Sequence, residues 1–308
     1  MHGRHLKALA GILLAIVITA VTVSDSHAQT TLRYRFAVGD TMNYDIDQTT
    51  RTTMFSSGNE LFAITATTHL EMTWQVKTLF PNGNARIVAT INRIHYRLES
   101  PPAPSLECDT KEEKAPSDAR MATIVAILKA AVGPNLELTM DGAGNMSDVR
   151  ISEKVGEALD KLADKSGKLF SGDGLKGMLS SAWLLLPPKA VSKGSNWQQS
   201  FDVKLPFATL KVSNACSLDD SIKVGGRSLD RIVIKPKISF EPGDNPDYKL
   251  ELKDQSGEAS ATFDAAAGRL VETQRKQMTF VEMSIRNASI DEKLEQTTTL
   301  KLRDTPKP

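Results

Sequence analysis

Few side chains in this 308-residue chain are of a type and spacing that does chemistry. Beyond the first 28 residues only two histidines occur, His69 and His95. A Ser, His, Asp triad or a His-rich metal site therefore has little to draw on. Both histidines fall in stretches of alternating apolar and polar residues, which predicts them on the polar face of a strand. Carboxylates are plentiful, and Asp219 with Asp220 or Glu112 with Glu113 could be imagined as acid and base. Neighbours along a strand point to opposite faces, however, and both pairs flank loops or charge runs, so solvation is the predicted role. A glycosidase draws its carboxylates from separate parts of the chain, and no pattern here selects such a pair. The run Ser171-Gly172-Asp173-Gly174-Leu175-Lys176-Gly177 lacks the spacing and the Lys-Ser/Thr ending of a phosphate loop, and no strand precedes it. It reads as the entry to a helix. No catalytic, cofactor-binding or metal residue is assigned, and no cofactor is expected.

The two cysteines, Cys108 and Cys216, leave two readings open. In an exported chain they can pair, and a bridge closing a loop of about 100 residues contributes up to about 4–5 kcal/mol in the chain-entropy model. Alternatively they are unpaired thiols, with Cys216 a core residue on the face of Leu210, Val212 and Leu218.

Export itself is read from residues 1–28, where basic Arg4 and Lys7 precede an apolar run from Ala8 to Val23 and then small Ser26 and Ala28. The run is short for a membrane span, which needs about 20 residues, so cleavage after Ala28 is expected, with no span in the exported chain. That cleavage removes Arg4 and Lys7 from 38 basic residues and Asp25 from 37 acidic ones, leaving the charges balanced. A neutral chain is a poor partner for nucleic acid or an anionic membrane, which select a basic excess. The expected location is periplasmic or extracellular.

The elements that would position any site are mostly strands. Leu70, Met72, Trp74 and Val76 alternate with polar neighbours, Pro81-Asn82-Gly83-Asn84 supplies a turn, and Ala85, Ile87, Ala89 and Ile91 alternate on the return. The apolar phase then moves to Ile94, Tyr96 and Leu98, which predicts a bulge near Asn92 or Arg93. Ser100 to Pro116 is a break. Helical spacing over 117–132, 152–166 and around Leu175 to Ala182 predicts two or three amphipathic helices.

Lys193-Gly194-Ser195-Asn196-Trp197 repeats the plan of Val38-Gly39-Asp40-Thr41-Met42, a glycine turn opening an alternating strand. The Gly83 turn has a counterpart at Gly225-Gly226, and the Asp141 turn has one at Asp264. Three matched landmarks in one order point to an internal duplication. The predicted organisation is a signal peptide over 1–28, a first β half with one helix over 29–150, a helical connector over 151–190 and a second β half over 191–308. The predicted class is α+β, mainly antiparallel β, as a curved sheet or half-barrel of two pseudo-repeated β halves with two or three packed helices.

Leu32 to Phe36 with Val38-Gly39-Asp40, the hairpin around Trp74, Leu136 to Val149, and Leu186-Pro187 running to Gly194 and Trp197 together resemble an exported bacterial family of planctomycetes and related bacteria. That family is defined only as a domain of unknown function, and its motifs are turns and strand patterns. The resemblance implies no catalytic or binding residue. Cys108 departs from it, lying where a small residue such as serine is expected.

Two functional classes follow, and a bland third. The first is a non-catalytic exported protein that binds an apolar or envelope-derived ligand, or an envelope protein, in the concavity of the sheet. The second is a carboxylate-dependent hydrolase of envelope polymers. The third is a structural envelope component.

Overall fold

The computed structural model describes residues 29–112, 119–153, 155–157, 183–204, 208–243, 248–285 and 288–303. Within them the chain forms strands β1 (Thr41–Ser56), β2 (Asn59–Leu79), β3 (Ala85–Glu99), β4 (Leu106–Asp109), β5 (Gly133–Met140) and β6 (Met146–Ile151). A helix, α1 (Ala119–Ala131), lies between β4 and β5. The second half supplies β7 (Asn196–Lys204), β8 (Ala208–Val224), β9 (Arg227–Pro242), β10 (Tyr248–Asp264), β11 (Arg269–Ile285) and β12 (Ala288–Arg303). All twelve join one open antiparallel sheet in the order β6-β5-β3-β2-β1-β12-β11-β10-β9-β8-β7, with β4 added beside β3. Each neighbour but two follows from a hairpin or short connection. β3 and β5 pair across the connection that holds β4 and α1, and the first strand pairs with the last, from Asn43 with Arg303 to Phe55 with Asp291.

The hairpin of β2 and β3 has the expected register, with Met72 opposite Ile91, Trp74 opposite Ala89 and Val76 opposite Ile87. The register shifts where Glu71 and Met72 meet Arg93 and Ile91, so the predicted bulge falls at Asn92 and keeps Ile94 on the apolar face. Other expectations are corrected. The break after Ser100 contains β4, paired with β3 from Leu98–Leu106 to His95–Asp109. Helix is scarcer than expected. Among the described residues α1 is the one full helix, matching 117–132, and Glu153 with 155–157 begins the second. The rest of that helix, and the third, lie outside the described residues.

One face of the sheet, the inner face, carries the main core. Leu32 and Tyr34 of the N-terminal segment, Met42, Tyr44, Met72 and Trp74 of the first half, and Cys216, Ile232, Phe263 and Leu270 of the second pack in one apolar cluster. Residues from β5 to β8 share this cluster, so the sheet bends round what it encloses. The filling is chain rather than helix. The N-terminal segment and the extended stretch from Trp183 to Val191 lie against the inner face, joined by hydrogen bonds between Thr30 and Val191. α1 instead packs Ile124, Val125 and Leu128 on a small satellite of Tyr96, Leu106 and Cys108.

The paired glycine turns match bond for bond. Gly39 N–H donates to Val76 O and Val76 N–H to Asp40 O, while Gly194 N–H donates to Leu218 O and Leu218 N–H to Ser195 O. Ala37 N–H is capped by Asp40 Oδ2, and Ser192 N–H by Ser195 Oγ. A bulge follows directly in both, at Val76/Thr78 and at Leu218/Ser221.

Candidate functional site

The lower inner face is closed by aromatic rings. Trp74 stacks on Trp183 with centroids 4.1 Å apart, and Tyr44 meets Trp183 edge-on at 5.4 Å. Tyr34 packs edge-on against Phe263 at 5.3 Å and donates its hydroxyl to Leu184 O at 3.0 Å. Burial pushes both tyrosine phenols well above their ordinary range.

Further along the strands the filling stops. A cavity of about 290 Å³ opens above Trp183 and Leu184, between β1 and β12 on one side and β7 and β8 on the other. Cross-strand register sets its chemistry, because partners on adjacent strands stand side by side on one face. The lower level is Ile232, Ala261, Thr273, Leu300 and Ile46, an almost wholly apolar row. Two residues up each strand lies the row Trp197, Cys216, Ile234, Ala259, Arg275, Thr298, Gln48. Between these levels, about 7 Å apart at the usual strand rise, apolar gives way to polar on β12 and β1 and Thr273 gives way to Arg275 on β11, while β8 to β10 stay apolar.

Three side chains give this upper level and the row beyond it their character. Arg275, half-buried, stands opposite small Ala259, and burial pulls its pKa down from the ordinary guanidinium value, with Cys216 nearby opposing the shift. Cys216 is 1% exposed, and burial pushes its thiol up to about 12, so it is inert at neutral pH. Asn214 is 3% exposed, lines the cavity, and has no hydrogen-bond partner at Oδ1. Gln199, opposite Asn214, is anchored by its amide to Leu185 O, as is Trp197 through its indole N–H at 3.3 Å. The cavity lining contains no carboxylate. On the opposite face a wider depression of about 670 Å³ is lined by Thr49, Arg51, Glu258, Lys276 and Glu295; its charged, solvent-facing walls suit no apolar ligand.

Of the residues singled out in the sequence, the two histidines stand opposite each other across β2 and β3, and the others are scattered. His69 binds Asp47 at 2.8 Å and His95 binds Glu107 at 2.7 Å, both on the polar face. Asp219 and Asp220 separate, one toward Arg231 at 3.8 Å and the other toward Lys193 at 2.7 Å. Glu112 is exposed; Glu113 and the Gly-rich run 171–177 lie outside the described residues. Cys108 and Cys216 are buried free thiols on β4 and β8, with β3, β2, β1, β12, β11, β10 and β9 between them. Among the described residues no three metal-ligating side chains stand together, and no helix is long and apolar enough to cross a membrane.

The strongest charge cluster is structural. Arg93 grips Asp109 through Nε at 3.0 and 3.1 Å and reaches Glu71 at 3.2 Å, beside Lys111. Arg93 holds Asp109 down to about 2; at Glu71 burial pushes upward but Arg93 and Lys111 outweigh it. Arg275 and Asn214 were not legible as site residues. Arg275 lies in the polar run Glu272-Thr273-Gln274-Arg275-Lys276, where no alternation of apolar residues shows which face is inward.

Comparison with protein-family models and with curated proteins returns no match. Among solved structures, lipovitellin is similar over 89% of this chain at 12% identity, with a TM-score of 0.46. The chain spans only 26% of the lipovitellin chain. An outer membrane channel from Pseudomonas putida F1 aligns over 88% of this chain and 97% of its own, at 9% identity and a TM-score of 0.24. An exported protein with a YmcC-like fold from Bacteroides fragilis aligns over 88% and 97%, at 8% identity and a TM-score of 0.23. These similarities are too distant to assign a family.

Proposed function

We propose that the protein is an exported, non-catalytic binder that takes an apolar or envelope-derived molecule into the cavity on the inner face of its sheet. One observation carries this reading: the core stops short, and a space of about 290 Å³ walled by Ile46, Trp183, Leu184, Ile234 and Leu300 remains above it. That volume is at the lower end of ligand pockets, roughly 300–1,000 Å³, which are mostly apolar with a few placed polar groups. A core built only for stability closes such a space, since a cavity costs contacts on every wall. The hydrolase reading finds no pair of carboxylates at this cavity to rest on. Export rests on the sequence of residues 1–28, and membership of the exported family that the turns resemble belongs to the same proposal.

We also infer that the sheet consists of two copies of one unit, β1-β2-β3-β5-β6 and β7-β8-β9-β10-β11, with β12 added to join them. The matched hydrogen bonds at Gly39 and Gly194, and the bulges that follow, support it.

Nile red, a neutral apolar dye, tests the binding reading. The exported protein should raise its emission saturably, and Ala259→Trp, which fills the cavity mouth, should weaken binding by about tenfold or more, the equivalent of 1.4 kcal/mol, while the fold still melts cooperatively. Absence of saturable binding would leave the structural role, and binding indifferent to Ala259→Trp would place the dye elsewhere.

A further inference from the structure

We infer that Arg275 is the head-group anchor of this cavity, and that the ligand is an anionic amphiphile: an acyl or alkyl chain ending in one carboxylate or phosphate. This rests on the binding reading above and narrows it to a ligand class.

The argument begins with the company Arg275 keeps. Most of the other arginines described on β1 to β12 find carboxylates: Arg86 meets Glu137 at 3.3 Å, and Arg303 meets Asp45 at 3.1 Å. Arg275 faces inward. Its cross-strand partners are Ala259 and Thr298, and continuing its row in both directions meets Ile234, Cys216 and Gln48. The rows above and below, with Gln277, Gln296 and Thr50 on one side and Thr273, Leu300 and Ile46 on the other, hold no carboxylate either. Among the described residues it makes no hydrogen bond or ion pair. The guanidinium carries five donors and does not deprotonate in proteins, so the cost of its burial cannot be relieved by neutralisation. It is relieved by an anion. A carboxylate or phosphate accepts two parallel N–H bonds from this planar group, the geometry for which arginine is the favoured residue.

The cavity around it is divided in the way an amphiphile is. Ile46, Leu300 and Trp183 wall the apolar end, and Arg275, Thr298 and Gln48 stand one level up, in a row that Ile234 continues across β9. From β8, Asn214 adds a second unsatisfied polar group to the cavity lining. Its amide offers an acceptor to a head-group hydroxyl or, turned over, a donor to the anion. Ala259 beside Arg275 leaves the space the head group occupies.

Calorimetric titration with four probes decides it: dodecanoate, dodecyl phosphate, dodecanol and inorganic phosphate. The wild-type protein should bind both anionic amphiphiles about tenfold or more tighter than dodecanol, as expected for a bidentate charge-assisted contact, and should not bind inorganic phosphate measurably. Arg275→Gln should reduce the anionic probes to the affinity of dodecanol without weakening dodecanol itself, and Arg275→Lys should retain part of the preference. Without ligand, Arg275→Gln should melt no lower than wild type, because it removes an unpaired half-buried charge; that result also shows the variant folds. Dodecanol binding as tightly as dodecanoate, or a preference that survives Arg275→Gln, overturns the inference while leaving apolar binding intact. Inorganic phosphate binding as tightly as dodecyl phosphate makes the site one for free anions and also overturns it. If neither dodecanol nor Nile red binds, the cavity reading falls and the inference falls with it.

Discussion

Trp74 shows how a single residue separates core from cavity on the same sheet face. It is 2% exposed, and its stacking partner Trp183 comes from a segment more than a hundred residues away in sequence. Trp74 lies in the filled aromatic region below the cavity and does not line it. Trp74→Ala should therefore cost about 3–5 kcal/mol of stability, the usual range for a buried large aromatic, and should appear in thermal melts whether or not Nile red is present. A melt unchanged from wild type would remove Trp74 from the core. Cys216 and Arg275 give the opposite lesson. Alternation with Leu210, Val212 and Leu218 is enough to place Cys216 inward, and it is inward. The same rule applied to Arg275 needs the register of its neighbours, because its own stretch is polar throughout.

At the level of elements, the two Asp-initiated turns hold the N-terminal segment in place. Tyr34 N–H donates to Gly142 O at 2.8 Å, and Arg35 N–H donates to Gly268 O at 3.1 Å. Gly268 has φ +66°, and a Cβ there would stand 2.5 Å from Arg35 Cβ, so the close approach of segment and turn requires glycine. Gly39 also has a positive φ, +90°, but faces open space. Gly39→Ala should cost about 1–2 kcal/mol for the left-handed backbone alone. Gly268→Ala should cost more, because the added methyl also displaces the segment. Urea melts of the two variants compare them directly, and equal losses would show that the segment moves aside freely. The β9–β10 ladder is the other element-level feature. It runs only from Ala259–Ile234 to Phe263–Asp230. Beyond it Pro236 has no N–H to offer, and Gln255 substitutes its side-chain amide, accepting from Ile238 N–H at 2.8 Å and donating to Ile238 O at 3.0 Å.

Across the whole molecule, the ladder between β1 and β12 joins the two halves into one sheet, and it is made by residues about as far apart in sequence as the chain allows. Interior strands are paired on both sides, whereas β7 is paired on one. Hydrogen exchange should therefore be slowest in β1, β11 and β12, which open only with global unfolding, and fastest in β7 and β6. Faster exchange in β12 than in β7 would mean that the halves separate before the edges fray. Much of this architecture was legible in the chain. Period-two alternation marked β2, β3 and β8, the Asn92 bulge followed from a change of phase, and the glycine turns marked where strands begin. These are local properties, written in residues a few positions apart. The early half of β10, with its run of Lys, Glu and Asp, was missed because both of its faces are polar or half-exposed there. The cavity was decided by tertiary structure alone. Its walls come from seven strands and the segment at Trp183, and their levels are set by cross-strand register, which depends on pairings between residues up to some 250 positions apart. No local pattern encodes which side chains such pairings bring face to face, or where the core between them runs out.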